Sequence, residues 1–262
     1  MTGFYRKPIL RMIRYRFLFE ELVKRDFKKK YKGTLLGVGW SLLSPLLMLA
    51  MMRLVFTQFF GRTVEHYTTY LFCGLLMFGF FSESTKGGMK SIAGGAGIFS
   101  KVNVPKYMFL LARNVQTLFN FLLTLVVFLV FCWLDGVAFT WRFLLLAYPI
   151  LTLFAFGLGL GFLLATMYVF FRDLEYLWSV AMRLVMYGSA IFYTTDSFGP
   201  GMKLLFRCNI VYDHIEYARL AVLGGTVPGW ELHAILAGAA LVSLALGGFV
   251  YRRFNREFIY HV

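Results

Sequence analysis

The chain has 262 residues, 59% of them hydrophobic and only 15% charged, with a formal net charge of +14. Apolar runs of about 20 residues recur along it, which excludes an ordinary soluble domain. The positive excess lies in the N-terminal tail, in residues 86–113 and in the C-terminal tail rather than on one folded face, so nucleic acid is excluded as a partner.

Residues 9–32 are predicted to form an amphipathic helix lying in the membrane interface. Met12, Tyr15, Phe19, Leu22 and Val23 share one stripe at helical spacing, with Arg14, Glu21, Arg25 and Lys28 opposite. Ile13, Phe17 and Leu18 interrupt the polar face. A surface anchor and a working gate element both fit this pattern. Some 34 largely polar and basic residues precede the first apolar run, and no small-residue cleavage site comes after it, so no cleavable signal peptide is expected.

The first crossing, residues 35–60, comes directly after the cluster Arg25, Lys28, Lys29, Lys30 and Lys32. Such cations stay on the cytoplasmic side and set the orientation of the whole chain. The run is about 26 residues and rises about 39 Å, enough to cross a core of about 30 Å with tilt. Pro45 should bend it, Trp40 belongs at headgroup level, and the glycines at 33, 37 and 39 are expected to allow close backbone approach.

The second crossing is placed at 67–84. Residues 85–108 then read as a polar internal loop carrying Lys86, Lys90, Lys101 and Lys106, in which Gly94, Gly95 and Gly97 forbid one long helix. Further crossings are placed at 109–134, 143–171, 176–193 and 232–250. Gly157, Gly159 and Gly161 in the fourth offer a small-residue packing face. Residues 194–230 are external, and their apolar runs are too short to span, so they read as re-entrant or interfacial half-helices. With these boundaries twenty basic residues fall inside and five outside (Arg62, Arg142, Lys203, Arg207 and Arg219). Both termini are therefore expected in the cytoplasm. The fold class is an all-α membrane protein of six transmembrane helices, with the interfacial helix before them and the re-entrant half-helices before the last.

Signatures of chemistry are sparse. No phosphate-binding loop of the form GxxxxGK[ST] occurs, so the chain has no nucleotide cradle of its own. His214 and Glu216 form an HxE pair without the CxxC that a zinc site of that kind needs, and polar pairing is their ordinary role. Cys73, Cys132 and Cys208 give no disulfide framework. Arg53 and Arg183 fall inside crossings, where lining a wet path and snorkelling to a helix end are both open. No carboxylate falls in the middle of a crossing, which disfavours an ion-driven carrier. Phe56, Phe59, Phe60, Tyr187, Phe192 and Tyr193 cluster at the outer ends of crossings one and five. Their rings could carry sugar C–H faces along an exit path, or could anchor the outer leaflet.

The run Arg25-Asp26, Tyr31-Lys32-Gly33-Thr34, Leu36-Gly37, Trp40 and Leu43-Ser44-Pro45-Leu46 resembles the entry signature of the type-2 ABC exporter permeases, in the branch that exports O-antigen, teichoic acid and related polysaccharides. Ser44 stands where that family more often has Asn. The Lys101–Lys106 segment, the Phe-Arg-Asp-Leu sequence ending at Leu174 and the stretch Asn209–Arg219 are similar to the family too, although Ile210 replaces its usual Pro.

The resemblance implies a permease, not an enzyme, in a bacterial cytoplasmic membrane. It would act as a homodimer with two copies of a separate ATPase, which binds ATP and Mg; this chain itself would carry no cofactor. Residues 86–106 would be the cytoplasmic coupling loop, with Lys90, Lys101, Pro105 and Lys106 toward the ATPase. The basic cluster at 25–32 would receive the phosphates of a lipid-linked glycan. Two alternatives stay open: an ABC permease for a drug or another lipid, and a membrane enzyme acting on lipid-linked sugars.

Overall fold

A computed structural model describes residues 15–34, 36–37, 39–60, 65–99, 101–102, 104–195 and 198–261, with side chains except at 29–31, 41, 52–53, 56–60 and 259–260. Every regular element among the described residues is helical. The order is α1 (Arg16–Tyr31), α2 (Gly39–Phe60), α3 (Tyr67–Phe99), α4 (Tyr107–Leu134), a 3-10 turn at Trp141–Leu146 running into α5 (Ala147–Phe170), α6 (Leu174–Tyr187), α7 (Pro200–Arg207), α8 (Ile210–Val222), α9 (Trp230–Phe254) and the short α10 (Phe258–His261).

Among the described residues three stretches are long and apolar enough to cross a membrane: Tyr107–Leu134, Trp141–Phe170 and Trp230–Phe254. The other predicted crossings differ in kind. Helix α2 contains Pro45 and has 22 residues, about 33 Å of rise. Helix α3 is longer and more polar than a simple span. Helix α6 has only 14 residues, about 21 Å, which falls short of a core of about 30 Å.

Helix α1 turns its apolar stripe toward the protein. Leu22 is buried in a cluster with Ile92, Met108 and Phe258, and Tyr15, Phe19 and Val23 pack against the same cluster. Phe17, off this stripe, is 77% exposed. The part of the predicted 9–32 helix before residue 15 lies outside the described residues.

Two expectations about glycine are corrected. Gly33 and Gly37 are needed for their backbone, not for close packing. Their φ angles are +79° and +51°, and a Cβ at either would meet nothing within 4 Å. They provide the left-handed turns that connect α1 to α2. The second correction concerns 85–108, which is not a glycine-broken loop. Helix α3 runs unbroken through Gly94, Gly95 and Gly97 to Phe99, 33 residues in all. Tertiary contact outweighs the propensity cost of about 1 kcal/mol per glycine. A Cβ at Gly95 would come 2.6 Å from the Phe109 ring, and one at Gly88 would come 3.1 Å from the Gly161 Cα. Only the segment between Phe99 and Tyr107 remains as a connection.

Helix α3 is the central element. Leu71, Phe72, Cys73, Phe80 and Phe81 lie in the largest buried cluster, with Phe121 and Phe128 of α4, Leu153 of α5 and Ile215 of α8. Helix α5 packs between α3 and α9 through the Gly157/Gly159/Gly161 face. A Cβ at Gly157 would come 2.7 Å from Ser84 Oγ, and one at Gly247 of α9 would overlap the Gly159 carbonyl. Ser243 Oγ donates to the Phe156 carbonyl across the same interface, at 2.8 Å.

This contact gives a direct test. Gly247→Val should destabilise the purified protein by about 3 kcal/mol, because the backbone of α5 cannot yield without separating the helices. Gly238→Ala, on the same helix with nothing within 4 Å of its Cβ, should raise stability by up to about 1 kcal/mol. Thermal unfolding in detergent measures both, and equal midpoints for the two variants would refute the close α5–α9 contact.

Candidate functional site

Two adjoining cavities lie between α2, α3, α4 and α6. The first, of about 650 Å³, is lined by Trp40, Ser44, Pro45 and Met48 of α2, Phe72 to Glu83 along α3, Thr117 to Thr124 along α4, and Met186 of α6. The second, of about 920 Å³, is lined by Arg25 and Asp26 of α1, Phe78 to Gly94 along α3, Phe109 and Arg113 of α4, and Glu175 and Ser179 of α6. Phe78, Gly79 and Glu83 line both, so the two form one cleft with Glu83 at the junction.

The first cavity is aromatic with a polar stripe. Thr117, Asn120 and Thr124 recur at helical spacing on α4 and place hydroxyl and amide groups beside Phe121, Phe80 and Trp40. Phe80 and Phe121 meet at a ring separation of 4.6 Å. The two threonines satisfy their own O–H groups by donating back to the helix, Thr117 to the Arg113 carbonyl and Thr124 to the Asn120 carbonyl, both at 3.1 Å. Sequence reading missed this stripe. The signal was there, as three polar residues on one face of a strongly apolar helix, where polar groups need a reason.

The second cavity is charged. Arg25 pairs with Asp26 at 2.7 Å and Lys90 with Glu175 at 2.5 Å. The Lys90 hydrogen bond holds the Glu175 carboxyl below the usual carboxylate range. Arg113 donates through Nη1 to Gln116 Oε1 at 3.0 Å.

Of the residues expected at the phosphate entry whose side chains are described, only Arg25 lines this cavity. Lys28 and Lys32 are exposed elsewhere, and the side chains of Lys29 and Lys30 lie outside those described. In the coupling set Lys101 is exposed, Pro105 is half-buried and Lys90 faces the cavity. Lys106 is only 9% exposed and points inward. Its Nζ donates to the Asn255 carbonyl at 2.7 Å and sits 5.4 Å from the Phe99 ring centroid and 5.3 Å from that of Phe258. It therefore fastens the start of α4 to the C-terminal segment, and burial pushes its pKa down.

The predicted outer aromatic set is not one exposed track. Tyr187 is exposed, but Phe192 is buried in the core and Tyr193 is half-buried, with its hydroxyl donating to the Tyr187 carbonyl at 2.6 Å. The side chains of Phe56, Phe59, Phe60 and Arg53 lie outside those described; Arg183 is exposed.

Arg219, an external surface cation by sequence, is 5% exposed. Nη1 donates to the Ala190 carbonyl and Nη2 to the Ile191 carbonyl, each at 3.0 Å, and the guanidinium carbon sits 3.4 Å from the Tyr70 ring centroid. Ala190 itself has φ +46°, a strained value for a residue with a Cβ. Asn209 adds to the clamp, donating to the Gly188 carbonyl at 3.0 Å and to Ser189 Oγ at 2.9 Å. Together they hold the non-helical end of α6, beside the point where Met186 closes the aromatic cavity.

Comparison with known proteins settles the family. Residues 18–223 match the ABC-2 type transporter family. The chain belongs to that family. It is similar to an O-antigen export system permease protein of Myxococcus xanthus, 31% identical over 256 residues that cover 95% of this chain and 98% of that protein. A protein of the same description from Klebsiella pneumoniae is 26% identical over 249 residues, covering 92% of this chain and 95% of its own. An Escherichia coli polysialic acid transport protein is 22% identical over 238 residues, covering 89% and 92%. In this ABC-2 chain the cleft lies wholly within the matched region, whereas α9, which buttresses α5, lies beyond it.

Arg219→Met should remove both fork hydrogen bonds and leave the carbonyls of Ala190 and Ile191 without that donor, at a cost of about 3 kcal/mol. Arg219→Lys should recover only part of that, because an ammonium has no planar fork. Ala190→Gly should be neutral or stabilising and Ala190→Val strongly destabilising. The unfolding midpoints of the four variants check the ordering, and an unaltered Arg219→Met would show that the clamp does not hold the fold.

Proposed function

We propose that this chain is the membrane permease of an ATP-driven exporter that moves a lipid-linked polysaccharide, O-antigen-like or teichoic-acid-like, out across the bacterial cytoplasmic membrane. The observation that carries the reading is the two-part cleft. A basic chamber suits a phosphorylated lipid end, and an aromatic chamber with hydroxyl and amide groups suits sugar rings. Shallow contacts of this kind let a polymer leave each position, which a tight pocket would not. The O-antigen and polysialic acid names of its relatives point the same way.

The finer arrangement extends the same reading. Two copies of the chain pair with two copies of an ATPase, which supplies the nucleotide, the Mg and the hydrolysis. Six segments reach through the membrane, with α6 and the broken chain after it acting together as the fifth. Both termini and the Lys101 end of α3 face the cytoplasm, and α7 and α8 form the re-entrant half-helices on the outer side. The exposed Lys101 and the half-buried Pro105 are the ATPase-facing part of the 86–106 segment.

Deletion of the gene, in a strain without a second exporter, should remove the surface glycan and accumulate lipid-linked polymer inside. Unchanged surface glycan without accumulation would favour a drug or another lipid as cargo. Asn120→Leu should slow export several-fold in a complementation assay while leaving membrane levels of the protein unchanged. For topology, a cysteine placed at Lys203 should react with an impermeant external reagent and one at Lys101 should not; the reverse pattern would invert the assignment. The purified chain should hydrolyse no ATP until its ATPase is added.

A further inference from the structure

We propose that the charged cavity is a diphosphate seat built on Arg113 and Lys86, an inference that rests on the export reading and gives it a point of entry. Among the described residues four cations line this cavity, but they are not equivalent. Arg25 is neutralised by Asp26 and Lys90 by Glu175. Among the described residues neither Lys86 nor Arg113 forms an ion pair, and the partner of Arg113 is the neutral amide of Gln116. Lys86 is exposed toward the cavity and adjoins Gly87 in sequence.

Gly87 is what places Arg113. A Cβ at that position would come 2.8 Å from Arg113 Nε and 3.2 Å from its Cγ. The arginine side chain therefore lies bedded across the backbone of α3 in a slot that only glycine leaves open. The contact with Gln116 turns the planar fork, which presents two parallel N–H groups to phosphate oxygens. A half-buried guanidinium with a fixed orientation, next to an uncompensated ammonium, matches two linked phosphoryl groups. Sugar hydroxyls would need neither cation.

The position of the seat fits a ligand with a second part. Phe78 and Gly79 open directly into the aromatic cavity, so the group attached to the diphosphate can continue there. Glu83 stands at that junction. Lys28 and Lys32, the cations that sequence alone would choose, do not line either cavity. Their place on α1 and just after it suits attraction to the anionic leaflet instead.

The test uses the full chain in neutral phosphatidylcholine nanodiscs and a fluorescent polyprenyl diphosphate as probe. Arg113→Gln and Lys86→Gln should each weaken binding by about tenfold or more, and Arg113→Lys should keep only part of it, because an ammonium keeps the charge but has no planar fork. Gly87→Ala should weaken it without any loss of charge, because it displaces the guanidinium, while Lys203→Gln should change nothing. Competition separates the sources of the chemistry. Polyprenyl diphosphate competing better than inorganic pyrophosphate identifies a lipid carrier, and equal competition identifies a seat that reads the diphosphate alone. Phosphatidylglycerol competing as well as either would overturn the proposal in favour of a general headgroup contact. Binding by the Arg113→Gln/Lys86→Gln double variant within about twofold of the parent, with its unfolding midpoint unchanged, would also overturn it. The two readings fail separately: the seat falls if that double variant binds normally, and the export reading falls if gene deletion leaves the surface glycan intact.

Discussion

The buried guanidinium of Arg219 is the contact on which the outer half of this molecule depends. Among the described residues it forms no ion pair; its neighbours are the carbonyls of Ala190 and Ile191 and the face of Tyr70. A cation is costly to remove from water, and fixed carbonyl dipoles with an aromatic face are what offset that cost here. The arrangement also solves a problem of the chain around it. Helix α6 stops at Tyr187; the N–H groups of Gly188 and Ser189 still bond back to the Leu184 and Met186 carbonyls, but the carbonyls of Gly188, Ala190 and Ile191 take their donors from other elements. Non-helical chain inside a bundle is tolerated only where those groups are satisfied, and Arg219 and Asn209 supply the donors. Gly74 makes room, since a Cβ there would come 2.9 Å from Arg219 Nη2. One side chain of α8 thus ties α3 to the end of α6 and sets where the aromatic cavity closes.

The patterns carried by long apolar runs were legible. The cores of α4, α5 and α9 are hydrophobic over lengths that leave no other assignment, and the Gly157/Gly159/Gly161 face reads correctly as a packing surface because small residues at that spacing have no other use in an apolar helix. What sequence misjudged were residues whose role depends on a distant neighbour. Gly95 looks like a breaker until the Phe109 ring is set against it. Lys106 and Arg219 look like surface charges until their carbonyl partners, 149 and 29 residues away, come into place. Local propensity is a weak prior, and each of these is a case of tertiary context overriding it.

The cleft shows the same division. Arg25 and Lys90 stood out in sequence because they lie in charged runs, yet both are neutralised within the chain. Lys86 and Arg113, which form no ion pair among the described residues, are ordinary in sequence, and Gly87 gives Arg113 its setting. The polar stripe on α4 was visible as three polar residues spaced along one helix face, but only the rings brought by α2 and α3 make it the wall of an aromatic chamber. Glu83 lies where the two chambers meet, and Thr117, Asn120 and Thr124 line the aromatic one.

Helix α6 forms one wall of both chambers, with Glu175 and Ser179 in the lower and Met186 in the upper. Its fastenings differ along its length. At the upper end the clamp is buried and made of several hydrogen bonds. In the middle, Trp178 Nε1 donates to Thr85 Oγ1 at 3.2 Å. At the lower end the fastening is the Lys90–Glu175 pair, whose side chains are 51% and 41% exposed. An ion pair open to water contributes little and is weakened further by salt, whereas a buried charge stripped of its partners is strongly destabilising. The lower end of the wall is therefore the easier one to release. It is also the end that borders the charged cavity, where an entering anion would compete with Glu175 for Lys90. The fold places its rigid fastening beside the aromatic chamber and its breakable one where a charged ligand can exchange with it.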